Sequence, residues 1–411
     1  MKRIDPAILV VIAGVAAALH IGKLPAALPV LRHALGISLL QAGFALSLVQ
    51  LAGMTLGLTV GLAADTLGLR RTMICGLLVL ALASAAGGWA RYPWHLLALR
   101  AVEGFGFLLA SMPAPGLIRR LVRPQRLSAM LGLWGAYMPL GTALAMLLAP
   151  GVIALAGWPA LWWLLAALSL TSALALRSAV PADQAAVTAA PAGSGWSHKL
   201  VQTLSARGPW LVALCFAAYS GQWLAVVGFL PSVYAEAGWT GQGTAVATAL
   251  VAAVNIAGNV ASGRLLQRAV APAPLLAIGF VAMAAGSAIA FAAMPVLSGS
   301  SAAALRYGAV LVFSMVGGLI PGTLFSLAVR LTPGSGSVSA TVGWVQQWSS
   351  LGQFAGPPLV AWIAVYSGGW QHTWIVTGSC SFAGLVLAWS LGRVLAPVKS
   401  TDVTPQSSRF T

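Results

Sequence analysis

Residues 61–71 read Gly61-Leu62-Ala63-Ala64-Asp65-Thr66-Leu67-Gly68-Leu69-Arg70-Arg71. This stretch closes one apolar run, near 38–63, and opens another, near 72–90. Each run approaches or exceeds the roughly 20 apolar residues with which a helix crosses a bilayer. Gly61 has no side chain and lets a neighbouring helix come close. Asp65 can accept hydrogen bonds from a helix N-terminus or pair with a basic residue. Arg70 and Arg71 suit a cytoplasmic loop. Anchoring alone would explain the arginines but not the spacing of Gly61, Asp65 and Gly68.

The same alternation of apolar run and short basic loop fills the chain. Hydrophobic residues make up 59% of the 411 and charged residues 7%. A soluble domain carries about 25% charged residues, so most of this surface must face lipid. Twelve runs can be marked, near 7–31, 38–63, 72–90, 95–118, 127–150, 157–177, 209–234, 241–263, 274–295, 306–330, 339–366 and 371–396. None alternates with period two, which excludes a β-barrel reading. The first run is too long for a signal-peptide core and has no clear small-residue cleavage site, so it reads as a retained membrane helix. The expected fold class is an all-α polytopic membrane protein with twelve transmembrane helices.

The charges orient it. Of 22 basic residues, 17 fall on the face shared by both termini. By the positive-inside rule that face is cytoplasmic, and the expected location is the cell inner membrane. The net charge of +16 sits in these short clusters and forms no stripe with interleaved aromatics, which argues against nucleic acid as a partner. Cys75, Cys215 and Cys380 lie inside apolar runs, with no disulfide or metal spacing. No metal and no cofactor is expected. The longest hydrophilic stretch divides the spans six and six. The expected domains are a bundle over 1–178, a cytoplasmic loop over 179–208, a second bundle over 209–397 and a disordered tail over 398–411. Within the loop, 196–207 reads equally as a short surface helix or as a plain linker.

The two halves resemble each other. Residues 27–38 align with 229–240 at an offset of 202, which also brings Gly61 onto Gly263 and Asp65 onto Gln267. Arg100 falls on Arg306 and Pro115-Gly116 on Pro321-Gly322 at an offset of 206. Gly132 and Gly141 fall on Gly343 and Gly352 at 211, and Gly157-Trp158 with Trp162 echoes Gly369-Trp370 with Trp374. Matches in order, with slowly drifting offsets, imply two six-helix bundles related by an axis along the membrane normal.

The segment Gly61–Arg71 resembles the signature loop of the major facilitator superfamily, a Gly-x-x-x-Asp-x-x-Gly-x-Arg pattern between spans 2 and 3. Thr66 and Leu69 replace usual basic residues, and the second-half copy has Gln267 for the acid. Arg100-x-x-Glu103-Gly104-x-Gly106 resembles the family's second motif, with Glu for Gln. Within the superfamily the chain is similar to the group of cyanate permeases and nitroimidazole transporters, through Leu28-Pro29, Leu35–Ser38, Arg100–Gly106 and Gly157–Trp162. The resemblance implies a major facilitator fold and a monomer that moves small solutes, often anions, by alternating access. It also implies that Gly61, Asp65, Gly68, Arg70 and Arg71 latch the cytoplasmic side.

In such a fold spans 1, 4, 7 and 10 line the cavity, flanked by 2, 5, 8 and 11. The polar candidates for substrate contact are therefore His20 and Lys23 on span 1, Arg100 and Glu103 on span 4, and Tyr137 on span 5. Tyr219, Gln222 and Trp223 on span 7, Asn255 on span 8, and Gln346 and Gln347 on span 11 complete them. Each has a plainer reading: Lys23 can snorkel, Asn255 can join Asn259 in gluing helices, and adjacent Gln346 and Gln347 cannot face one cavity equally. Deep cations slightly outnumber deep acids. The expected substrate is a small organic or inorganic anion, with a proton as candidate co-substrate carried by Glu103, or else by His20. Efflux of a drug or metabolite is the competing expectation. A sensor or an intramembrane enzyme is remote, because the five histidines are scattered and no soluble output domain or phosphate-binding loop is present.

Overall fold

The computed structural model describes residues 5–183, 196–239, 241–292, 299–333 and 338–395. The expected tail over 398–411 and much of the expected central loop lie outside them. Every described element is helical, as lipid-immersed backbone requires. Ten helical segments meet the length and hydropathy of a membrane span. One of them, Pro124–Ala179, contains two crossings. It reverses at Gly157, where φ is 78° and ψ 166° inside Tyr137–Ala179. A side chain would be strained there, so the glycine lets spans 5 and 6 meet in a tight turn. Val338–Ser367, 30 residues with Pro357 and Pro358 inside, supplies span 11. The total is twelve.

Span 1 is Pro6–Leu35 and span 7 is Arg207–Glu236. Span 2 begins at Leu39, under a capping box of Ser38 and Gln41, and runs through a 3₁₀ turn at Leu48–Gln50 to Leu67. Span 3 is Leu69–Gly87, span 8 Gln242–Gln267, and span 9 runs from Pro272 to Ala292. Spans 4 and 10 are broken in the middle. Pro93–Ser111 is followed by Ala114–Leu121, and Ser300–Gly317 by Leu319–Arg330. Span 12 includes Thr373–Leu395. Within the expected central loop, Trp196–Ser205 is helical.

The internal match has a structural counterpart. The breaks of spans 4 and 10 fall at Met112 and Gly318, related by the offset of 206. Gly36 (φ 66°) and Gly238 (φ 82°) follow the ends of spans 1 and 7 at the offset of 202. The left-handed backbone at these two sites ends the helices and explains why both halves keep glycine there.

Small residues set the helix crossings. Span 7 meets span 11 where Gly221 faces Gly352 and Gly356, and a Cβ at Gly352 would collide with the Ala217 carbonyl. The equivalent crossing of span 1 with span 5 uses Gly22 and Gly141. Between the halves, span 11 packs along span 2, with Gly43 on Pro358 and Gly53 on Ser350. Close backbone approach replaces the hydrophobic effect that lipid cannot supply. Gly352→Val should lower stability by about 1–3 kcal/mol through overpacking, read as a drop in melting temperature in detergent. Gly132→Ala, where a Cβ meets nothing within 4 Å, should not lower it. Equal melting temperatures for the two variants would contradict the close crossing.

Candidate functional site

The first group of candidates is drawn together inside the N-terminal bundle. His20 and Lys23 lie three residues apart on span 1, and Arg100 and Glu103 three apart on span 4, so each pair shares a helix face. Glu103 joins them. Its Oε1 pairs with Lys23 Nζ, and its Oε2 accepts from Arg100 Nη1 at 2.5 Å. Lys23 also donates to Ser84 Oγ on span 3 at 2.9 Å, and its Nζ lies 3.2 Å from His20 Nδ1 and over the Trp162 ring. His20 Nε2 meets Ser169 Oγ of span 6 at 2.9 Å. Arg100 donates to two main-chain carbonyls, His20 O at 2.9 Å and Ala45 O at 3.2 Å. Its Nη2 is buried without a partner.

These four side chains are at most 1% exposed. They bind one another between spans 1 and 4, with Ser84 of span 3 and Ser169 of span 6 as further partners, and are not among the residues that line the space between the halves. Lys23 does not snorkel: it is fully enclosed, because its ion pair holds the ammonium inward. This departs from the expectation that all four face the cavity. Two cations share one carboxylate, so the cluster carries one surplus positive charge while both basic groups are protonated.

The second bundle repeats the scaffold and keeps only the arginine of the charged groups, Arg306 at the position of Arg100. Gln222 occupies the position of His20 and Ser381 that of Ser169, and Ser381 Oγ donates to Gln222 Oε1 at 3.0 Å. The counterparts of Lys23 and Glu103 are Ala225 and Ala309. A neutral network stands nearby. Asn255 Nδ2 donates to Tyr219 Oη at 3.0 Å and to Ser314 O at 2.8 Å, and Trp223 Nε1 donates to Ser314 Oγ at 3.1 Å. Asn259 donates to Asn255 Oδ1 at 2.9 Å. Tyr219, Gln222, Trp223 and Asn255 are thus engaged within their own bundle.

Between the bundles lies a cavity of ≈ 30 Å³, room for little more than a water or two. Of the expected residues, Tyr137 and Gln346 line it. Gln347 does not; its Oε1 accepts from the Leu58 main-chain N–H at 3.0 Å, fixing span 11 to span 2. The adjacent glutamines thus divide between cavity and helix contact. The sequence reading missed Gln50, Ser349, Ser350 and Gln353, all cavity-lining. Its available signal was a polar residue in mid-span, at Leu48-Val49-Gln50-Leu51 and Leu351-Gly352-Gln353-Phe354.

At the start of span 3, Asp183 accepts from the Arg70 and Arg71 main-chain N–H groups at 3.1 and 2.9 Å. A carboxylate at a helix N-terminus satisfies free donors and meets the positive end of the dipole. Arg70 Nη2 donates to Arg177 O at 2.5 Å. The loop at Gly68–Arg71 is thereby bound to the end of span 6. The Asp65 side chain lies outside the described residues. At the opposite end of the spans, Arg32 of span 1 donates to Glu236 of span 7 at 3.2 Å, and Trp370 Nε1 donates to Glu236 at 2.6 Å. This contact joins the halves. Among the described residues no group of three or more His, Cys, Asp or Glu could hold a metal ion.

The cluster can be tested by stability. Glu103→Gln strands two buried cations and should cost about 3–5 kcal/mol. Adding Lys23→Met should recover part of that loss, giving a favourable coupling in a double-mutant cycle by thermal denaturation. Additive losses would mean that the two side chains do not interact.

The sequence pattern that defines the Major Facilitator Superfamily matches residues 8–350. Human monocarboxylate transporter 11 is 27% identical over 340 residues, which cover 80% of this chain and 70% of that protein. Multidrug resistance protein MdtH of Cronobacter sakazakii (strain ATCC BAA-894) is 38% identical over 91 residues, 22% of this chain and 23% of that one. Among solved structures, a bacterial homolog of the human lysosomal transporter Spinster, in an inward-facing and occupied conformation, superposes with a TM-score of 0.75. The two are 14% identical, over 94% of this chain and 96% of that one, so this likeness concerns the fold alone. With twelve helices in two related bundles and the family's pattern across most of its length, the chain is a secondary transporter, not an enzyme, and belongs to the Major Facilitator Superfamily.

Proposed function

We propose that this transporter moves a small anion by alternating access, with a proton as co-substrate, across a bacterial-type inner membrane with both termini in the cytoplasm. One observation carries the reading: Lys23 and Arg100 are buried against a single carboxylate, Glu103. Surplus charge inside a membrane bundle is costly and marks function. An anion in the cavity would supply the missing counter-charge. The cluster lies one helix away from that cavity, on the span whose Gly104, next to Glu103, lines it. At one helix diameter, about 10 Å, opposite unit charges attract by about 2 kcal/mol at an effective dielectric constant of about 20.

The ion pairs favour Lys23 over Glu103 as the proton carrier. Neutralising Glu103 would leave Lys23 and Arg100 facing each other without a counter-charge. Lys23 has His20 and Ser84 as hydrogen-bond partners in either protonation state. A proton held there together with a bound anion makes the moving complex electroneutral. The printed name of human monocarboxylate transporter 11 agrees with an anionic substrate. So does the resemblance of Arg100–Gly106 to the cyanate permease and nitroimidazole transporter group.

A second reading, export of an apolar compound, draws on the 91-residue match to a multidrug resistance protein and on packed indoles. The rings of Trp210, Trp344 and Trp348 have centroids 4.8–5.8 Å apart. Proteoliposomes separate the two. Uptake of labelled lactate should rise several-fold under an inward proton gradient, and Lys23→Met should remove that acceleration. Identical uptake with and without the gradient would end the proton-coupled reading. Resistance conferred on a susceptible strain, without any anion uptake, would favour export.

A further inference from the structure

The cavity between the halves is lined by neutral polar groups on spans 2 and 11. Ser350 Oγ donates to Gln50 Oε1 at 3.2 Å, Gln50 Nε2 to Gln353 Oε1 at 2.9 Å, and Gln353 Nε2 to Ser349 Oγ at 3.3 Å. The chain of bonds runs from one bundle to the other and back. Gln50 is 3% and Gln353 7% exposed. Beside them Gln346 Oε1 is buried without a partner. A polar group left unpaired inside a membrane bundle is unusual, and this one belongs to a side chain that lines the cavity.

The inventory of these groups selects a ligand. Each carboxamide has two N–H donors. Gln50 and Gln353 each use one within the chain of bonds, which leaves a second N–H on each. The unpaired Gln346 oxygen is an acceptor, so this amide meets an acceptor ligand only after a flip that turns its two N–H groups towards the cavity. The Ser349 hydroxyl accepts from Gln353 and still has its own proton to give. The site is rich in donors and carries no charged side chain. An acceptor-only planar group, a carboxylate, satisfies it. A primary amide of the same shape would bring two further donors where donors are already in excess.

The backbone links this site to the buried cations. Gln50 ends the 3₁₀ turn of span 2, and such a turn in mid-helix marks a hinge or a strained segment. Arg100 Nε holds the carbonyl of Ala45, just before that turn. The Val49 carbonyl packs directly on Gly104 of span 4. The position of the Gln50 amide therefore depends on the charged cluster. At ≈ 30 Å³ the cavity admits nothing larger than water while Gln50 and Gln353 are bonded. A ligand must part that bond, which is a tie between the halves.

We propose that Gln50, Gln346 and Gln353, with Ser349, form the substrate subsite and take the carboxylate of a small organic acid. Binding replaces the bond between Gln50 and Gln353 by bonds from both amides to the carboxylate oxygens. The proposal rests on the anion reading above and adds the site and the head group.

The test uses the purified full-length protein in detergent. Lactate, propionate and benzoate, each beside its primary amide, are titrated against thermal stability. Saturable stabilisation is expected with at least one acid, and weaker or no stabilisation with its amide. Gln353→Glu and Gln50→Leu should each weaken that acid by about tenfold or more, the loss of hydrogen bonds to a charged group. Size-exclusion profiles identify variants that fail to fold, and Gln353→Asn serves as the milder replacement. Unchanged acid affinity in folded Gln50 and Gln353 variants, with loss in Lys23→Met, would overturn this subsite and leave the anion reading standing. Stabilisation by the amides in place of the acids, or by none of the acids, would overturn both.

Discussion

Among the described residues Glu103 is the one acid that pairs with Lys23 and Arg100, and the N-terminal bundle is organised around it. Lipid cannot solvate a charge, and water does not reach this depth of the bundle, so each charged group must find its partners in protein. The solution draws on five helices. Span 1 brings the lysine and histidine, and span 4 the arginine and glutamate. Span 3 gives the Ser84 hydroxyl, span 6 gives Ser169 and the Trp162 ring, and span 2 gives the Ala45 carbonyl. Removing one member exposes the rest to an uncompensated field, which makes the cluster a fixed point against which the other helices are positioned.

The second bundle shows what the scaffold looks like without that constraint. The bond of His20 to Ser169 recurs as that of Gln222 to Ser381. The mid-helix breaks of spans 4 and 10 and the terminal glycines recur as well. Where Lys23 and Glu103 would fall, there is alanine. The lysine and the acid are thus confined to one half, and neutral hydrogen bonding is shared by both. The cavity lies where these two chemistries adjoin, with amides at its wall and the surplus positive charge one helix away.

The ends of the molecule are held by contacts of different strength. At one end, Arg32 and Glu236 are 33% and 49% exposed, and an ion pair so wet contributes little on its own. At the other end, Asp183 takes two main-chain N–H groups at the start of span 3 and binds the loop to its own bundle. The first contact joins the halves. The second keeps one half rigid as it moves.

The spans and the twofold repeat of six helices are legible in the chain, because lipid imposes one rule on every residue. A run of about 20 apolar residues must be a helix, and basic loops stay in the cytoplasm. The pairing of Arg100 with Glu103 is legible too, since helical spacing fixes which side chains on one helix share a face. Direction across helices is another matter. Lys23 belongs to a cavity-lining span, yet its side chain turns inward to Glu103. Adjacent glutamines 346 and 347 take different roles, and Asp183 in a linker becomes the cap of a distant helix. Gln50 and Gln353, 303 positions apart, carry no mutual signal at all. The sequence by itself determined what each segment is. Only the tertiary structure decided which polar groups meet one another, because that depends on helix rotation and on contacts hundreds of residues apart.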